Sequence, residues 1–229
     1  MLNEPKYSTA TQENPWSRVQ PRMYTDSDVA TYLKQVYALL AASLIVAVAA
    51  GYVGMTLPFA REHPIILMLL MFGAMFLAFK VQNAGTLFLF TGISGLALGP
   101  VIAHYVGAGM AGVVGQAAFM TGAVFTGLTF YSLTTKRDLS MMSGMLFAGL
   151  IVLVVGGLIN LFLQSTALSF AMSAAGCVIF AGYILFETQQ LKAQPWAVSP
   201  SVAALSMYLN VVNLFTSLLR LLGILGGDE

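Results

Sequence analysis

Charge is what this chain has least of. Asp, Glu, Lys and Arg together make 8% of its 229 residues, against roughly one quarter in soluble domains, which excludes an ordinary soluble globule. The net charge of +1 is too close to neutrality for a nucleic-acid surface. A single cysteine, Cys177, excludes a disulfide within the chain and a thiolate metal cluster. Residues 1–30 are polar throughout and lack the apolar core of a cleavable signal peptide, so the first apolar segment is expected to target the chain by itself. Strict alternation of apolar and polar residues is missing too. "LLAASLIVAVAAG" and "LFAGLIVLVVGGL" are continuously apolar, which excludes an outer-membrane β-barrel. No cofactor motif is present.

What remains is apolar sequence in long blocks. Hydrophobic residues make 58% of the chain and the mean hydropathy is +0.83. A window of about 19 residues, enough to cross a hydrocarbon core of about 30 Å, finds seven spans. They run from Val36 to Met55, Pro64 to Phe79, Gly85 to Tyr105, Ala111 to Leu133, Met141 to Leu163, Ala167 to Leu191 and Ser201 to Leu225. The expected fold is an all-α integral membrane protein, a seven-transmembrane-helix bundle comprising residues 34–229, preceded by a flexible cytoplasmic tail at 1–33. Basic residues set the orientation. With the amino terminus cytoplasmic, Lys6, Arg18, Arg22, Lys34, Lys80, Lys136, Arg137 and Lys192 lie inside and only Arg61 lies in an outer loop, Arg220 inside the last span being left out of the count. That asymmetry follows the positive-inside rule and puts the carboxyl terminus in the periplasm.

Against this background Glu187, in "AGYILFETQQ", is conspicuous. It falls about one turn before the expected end of the sixth span at Lys192. A carboxylate at that depth needs water, a partner or a proton, because uncompensated burial of charge costs several kcal/mol. The bland reading is a group already among the headgroups. In the seventh span Ser206, Asn210, Asn213, Ser217 and Arg220 recur at spacings of four, three, four and three. They therefore share one face of a helix, along about 21 Å. Such a face either stitches helices together or lines a polar path. Spans six and seven run antiparallel around a short loop, so Glu187 is expected level with Ser206 to Asn210. Lys80, leaving span two on the same side, is a candidate cation for Glu187 and equally a residue that snorkels to phosphate headgroups.

Enzyme readings fare poorly. "GISG" at 92–95 imitates the serine loop of intramembrane proteases, but His104 follows Ser94 by ten residues of one helix, about 15 Å, beyond hydrogen-bond reach. His63 belongs to an outer loop. No His-Glu-x-x-His pattern occurs, and every aspartate lies outside the spans. The glycines Gly92, Gly95, Gly99, Gly122, Gly127, Gly149, Gly156 and Gly157 read as sites of close helix approach.

Three collinear stretches, "LFLFTGISGLALGP" (87–100), "GYILFETQQL" (182–191) and "ALSMYLNVVNLFTSLLRLLGIL" (204–225), resemble the Bax inhibitor, or transmembrane Bax inhibitor motif, family. The linker "TTKRDLSMMSGMLFAGL" (134–150) is most similar to its bacterial YccA branch. The resemblance implies a bundle in which one mostly apolar helix is wrapped by the others, and a place in the bacterial inner membrane. It also implies a pH-sensitive calcium leak controlled by two carboxylates. Glu187 matches the first of these, whereas the second falls on the neutral Asn210. A lone carboxylate titrates as a single group and offers calcium one charged ligand fewer. The YccA branch implies another role, modulation of the membrane-bound ATP-dependent protease FtsH, for which the polar residues 1–30 would be the handle. The sequence reading is therefore a non-enzymatic FtsH modulator needing no cofactor. The alternative is a proton-regulated calcium or cation leak using Glu187, Asn210, Asn213, Ser206, Ser217 and Lys80.

Overall fold

Helix starts in this chain are written in capping side chains and prolines. Thr25 accepts a hydrogen bond from the Asp28 backbone N–H while the Asp28 carboxylate accepts from Thr25, a reciprocal capping box. Asn83 and Ser165 cap in the same sense, accepting from the N–H groups of Thr86 and Leu168. Pro58, Pro64 and Pro200 occupy first-turn positions, where a missing N–H removes a donor that would have had no helical partner.

The computed structural model describes residues 24–226. These residues form eight helices, α1 (Asp26–Thr56), α2 (Pro58–Glu62), α3 (Pro64–Val81), α4 (Ala84–Gly107), α5 (Ala111–Thr134), α6 (Met142–Leu163), α7 (Thr166–Ala193) and α8 (Pro200–Gly226). All except the short α2 are long and apolar enough to cross a membrane. The expected seven-span bundle is present, and from α3 onward its boundaries agree with the sequence reading to within two residues. The first helix differs. It begins at Asp26, ten residues ahead of the apolar block at Val36, because the capping box at Thr25 starts a helix in polar sequence. Part of the segment expected as tail is thus helical. The rest, residues 1–23, lies outside the described residues.

The last helix holds the centre. In α8 56% of the most apolar stretch is buried, against 6% in α6. The α8 face of Ala204, Leu205, Met207, Tyr208, Leu214 and Leu219 is almost fully enclosed, by α7, α5, α1 and, in part, α4. Helix α6 packs chiefly on α7 and otherwise presents Leu, Val and Phe side chains outward. Helices α1 and α4 make the most intimate pair. A Cβ at Gly95 would drive into the Ala47 carbonyl, and one at Gly99 into the backbone of Gly54 and Met55. Glycine is required at both positions by backbone-to-backbone approach. Gly149 and Gly156 similarly face Ile179 and Met172 across the α6–α7 contact. The same reading fails at Gly122, Gly127 and Gly157, where a Cβ would meet nothing within 4 Å. Spacing on a helix does not say which face has a neighbour.

Candidate functional site

Glu187 sits on α7, one and a half turns before its end at Ala193, and is partly buried against α8. Ser206 Oγ donates to Glu187 Oε1 at 2.6 Å, and Asn210 Nδ2 donates to Oε2 at 2.7 Å. The four-residue interval between Ser206 and Asn210 is what lets both reach one carboxylate, since residues i and i+4 stack on one helix face. Each carboxylate oxygen thus has a dedicated donor, both neutral and both from α8. The two donors respond differently to protonation. A proton on Oε1 is accommodated by rotating the Ser206 hydroxyl from donor to acceptor, whereas a proton on Oε2 requires the Asn210 amide to turn over.

Asn213 and Ser217 lie farther along the same face of α8 and do not join this group. Asn213 Nδ2 donates to the Leu209 carbonyl of its own helix at 2.8 Å, and Ser217 stands against Gly176 of α7. Arg220 is exposed one turn beyond. Lys80 is exposed in the last turn of α3, and no ion pair or hydrogen bond among the described residues links it to Glu187. The stripe therefore divides into a carboxylate cradle at the end of the bundle carrying Lys80, Lys136, Arg137 and Lys192, here called the basic end, and a second polar stretch toward the opposite end.

Side chains with no conspicuous sequence signal brace the basic end. Gln189 accepts from the Leu139 N–H and donates to the Arg137 carbonyl, both at 2.7 Å, tying the α5–α6 loop to α7. Lys192 Nζ donates to the Leu133 carbonyl at 2.6 Å, and Ser132 Oγ donates to the Leu185 carbonyl at 2.8 Å. Tyr32 donates to the Val198 carbonyl at 3.1 Å and packs on Trp196, while Ser201 donates to the Gln82 carbonyl at 2.6 Å. The cradle is roofed by loops held in place. Beside Glu187, Thr188 points the other way. Its buried hydroxyl and that of Thr129 approach Tyr37 Oη without meeting hydrogen-bond geometry.

The imitation protease loop has a different employment. Tyr208 Oη donates to Ser94 Oγ at 3.2 Å in the buried core between α4 and α8, and His63 makes a tilted ring contact with Phe59 at the α2–α3 junction. His104 pairs instead with the Tyr105 ring. The three do not converge.

A family model described as "Inhibitor of apoptosis-promoting Bax1" matches residues 29–227. The chain belongs to the Bax inhibitor family. Membership is supported by relatives matched over most of their length. A Vibrio cholerae "Uncharacterized membrane protein" is 38% identical over 205 residues, covering 86% of this chain and 91% of that one. The Escherichia coli protein named "Modulator of FtsH protease YccA" is 36% identical over 200 residues, with the same two coverages. The likeness extends to a mouse relative, "Protein lifeguard 4", 30% identical over 203 residues and covering 83% and 84% of the two chains. With seven apolar helices and a relative called "Inner membrane protein YccA", this Bax inhibitor family member is a multi-pass inner-membrane protein.

Proposed function

We infer that the chain binds the membrane-bound protease FtsH and modulates it, without catalysing a reaction of its own. The observation supporting this reading is the likeness to the relative named for that role, which spans 86% of this chain rather than a fragment. The handle for the protease is assigned to residues 1–30, most of which lie outside the described residues. In this reading they precede the membrane domain on its cytoplasmic side, the last of them, from Asp26, being the start of α1. Deleting 1–23, which spares the Thr25 cap and all of α1, should abolish co-purification with FtsH and the effect on degradation of an FtsH substrate, with the bundle still folded. Undiminished co-purification would remove the assignment.

A second reading is favoured by the cradle itself. One carboxylate, bound through both oxygens by neutral donors of the central helix, is a protonation sensor placed where α7 and α8 meet. In this reading the protein is a pH-regulated calcium or cation leak, with Glu187 as sensor, Ser206 and Asn210 as its receivers, Asn213 and Ser217 on the continuing path, and Lys80 as a mobile counter-charge. Calcium and proton flux into liposomes between about pH 5 and pH 8 tests it, that range bracketing the titration of a membrane-edge carboxylate with altered surroundings. Glu187→Gln should lock the flux in one state. Flux equal to that of empty liposomes at every pH removes the leak and leaves the protease role standing.

A further inference from the structure

A cavity of about 400 Å³ lies between α6 and α8, floored by α7. Its walls are unlike. From α6 come Leu150, Leu153, Val154 and Gly157, and from α8 come Asn213, Thr216, Ser217 and Arg220. The residues agree in depth. Arg220 and Gly157 are each six residues from the end of their helices at Gly226 and Leu163, about 9 Å along the axis. Asn213 and Leu150 are each thirteen residues from those same ends, about 20 Å. The cavity is therefore a slot about 11 Å long running along the membrane normal, apolar on one side and polar on the other. It is bordered by the helix that is least buried in the bundle, so a molecule can enter from the bilayer without crossing protein.

The polar wall is selective in what it offers. Asn213 and Thr216 spend hydrogen bonds on their own helix, to the carbonyls of Leu209 and Asn213. Ser217 Oγ and the Arg220 guanidinium have no hydrogen-bond or ion-pair partner among the described residues. The Tyr105 phenol lies within electrostatic reach of Arg220. Helix α8 has 27 residues, so it is about 40 Å long and overshoots a 30 Å core by about 5 Å at each end. The Arg220 backbone is then about 4 Å inside the core boundary, and its long side chain reaches the phosphate plane. A guanidinium at this level calls for an anion, and its planar fork suits phosphate.

We propose that the slot between α6 and α8 is a binding site for one anionic phospholipid of the leaflet at the Arg220 end. Its phosphate lies on the Arg220 guanidinium, a glycerol ester carbonyl accepts from Ser217 one turn deeper, and an acyl chain lies along Leu150, Leu153 and Val154. Charge at the mouth and an apolar wall below require both halves of an amphiphile in one molecule. Inorganic phosphate lacks the chain, and a zwitterionic lipid adds a cation that meets Arg220.

The test uses the purified full chain in neutral detergent, with phosphatidylglycerol, phosphatidylcholine or inorganic phosphate added, and reads the shift in Tm. Native mass spectrometry from mixed-lipid nanodiscs counts the lipid retained by the unaltered protein. Expected are one retained phosphatidylglycerol per chain and a Tm rise at least twofold larger with phosphatidylglycerol than with phosphatidylcholine. Arg220→Gln should erase the difference between the lipids. Gly157→Leu should erase it as well, by filling the slot from a position where an added Cβ meets no protein within 4 Å. Arg61→Gln, the other basic position expected on that side, should leave it unchanged. Equal responses to the two lipids overturn the proposal. So does an undiminished preference in Gly157→Leu, which would make Arg220 a residue snorkelling to bulk headgroups. A full response to inorganic phosphate alone would reduce the site to an anion site without a lipid.

Discussion

The Asn210 side chain reports whether Glu187 carries a charge. Asn210→Ala removes the donor that stands 2.7 Å from Oε2. Interhelical hydrogen bonds between neutral groups in bilayers contribute about 0.6 kcal/mol on average, whereas a bond to an ionised group contributes about 1.5–3 kcal/mol. The gap between these values is wide enough to decide the case. With an ionised Glu187, Asn210→Ala should cost about 1.5–3 kcal/mol in the native chain. In a Glu187→Gln background it should cost about 0.6 kcal/mol, because an amide of the same shape accepts only a neutral bond. The double-mutant cycle then returns a coupling of about 1–2 kcal/mol, a separation of about 2–8 °C in Tm for a chain of this size. Thermal unfolding of the four proteins in detergent near neutral pH measures it, and repeating the cycle in acid should shrink the coupling as the carboxylate takes up its proton. Identical costs of Asn210→Ala in the two backgrounds at neutral pH would refute the picture of a charged carboxylate held by α8.

Glycine substitutions should separate by face: Gly95→Ala is expected to lower stability by about 1–3 kcal/mol through overpacking against the α1 backbone, while Gly122→Ala should raise it by about 0.5–1 kcal/mol by improving helix propensity in open space. A denaturation series on the two variants checks both signs. Gln189→Ala should free the loop between α5 and α6, seen as faster tryptic cleavage after Lys136 and Arg137. The Asp138 carboxylate in that loop accepts from the Ser140 N–H, which holds it below the usual carboxylate range. A depressed folded value contributes order above the unfolded value of 3.8 and loses it as pH falls through the folded one, so loop cleavage by an acid-stable protease should accelerate below about pH 4. Constant cleavage from about pH 5 to pH 3 would remove that contribution.

Long apolar blocks made the spans legible, because lipid admits only helices and closed barrels, and a block without apolar–polar alternation fits the helix. The antiparallel pairing of the last two spans, with Glu187 level with Ser206 and Asn210, was legible for a related reason: a short loop leaves one arrangement, and helical rise supplies the level. Two things were not. Composition cannot say that α8 is central and α6 peripheral, since both are apolar and only α8's neighbours enclose it. Nor could the stripe from Ser206 to Arg220 be divided in advance, because its residues share a face while meeting different helices along it. Lys192, read from the sequence as the end of the sixth span, holds the Leu133 carbonyl, and Gln189, which carried no signal in the sequence, holds that of Arg137.

The central place of α8 has a consequence for how the protein comes into being. The ribosome makes this helix after the other seven, so α1, α4, α5 and α7 enter the bilayer with the surfaces meant for it still uncovered. Until residues 200–226 are inserted the interior is incomplete, and the earlier helices, the close α1–α4 pair included, lack the helix that they enclose. A chain interrupted anywhere before Pro200 therefore lacks the helix that α1, α5 and α7 pack around.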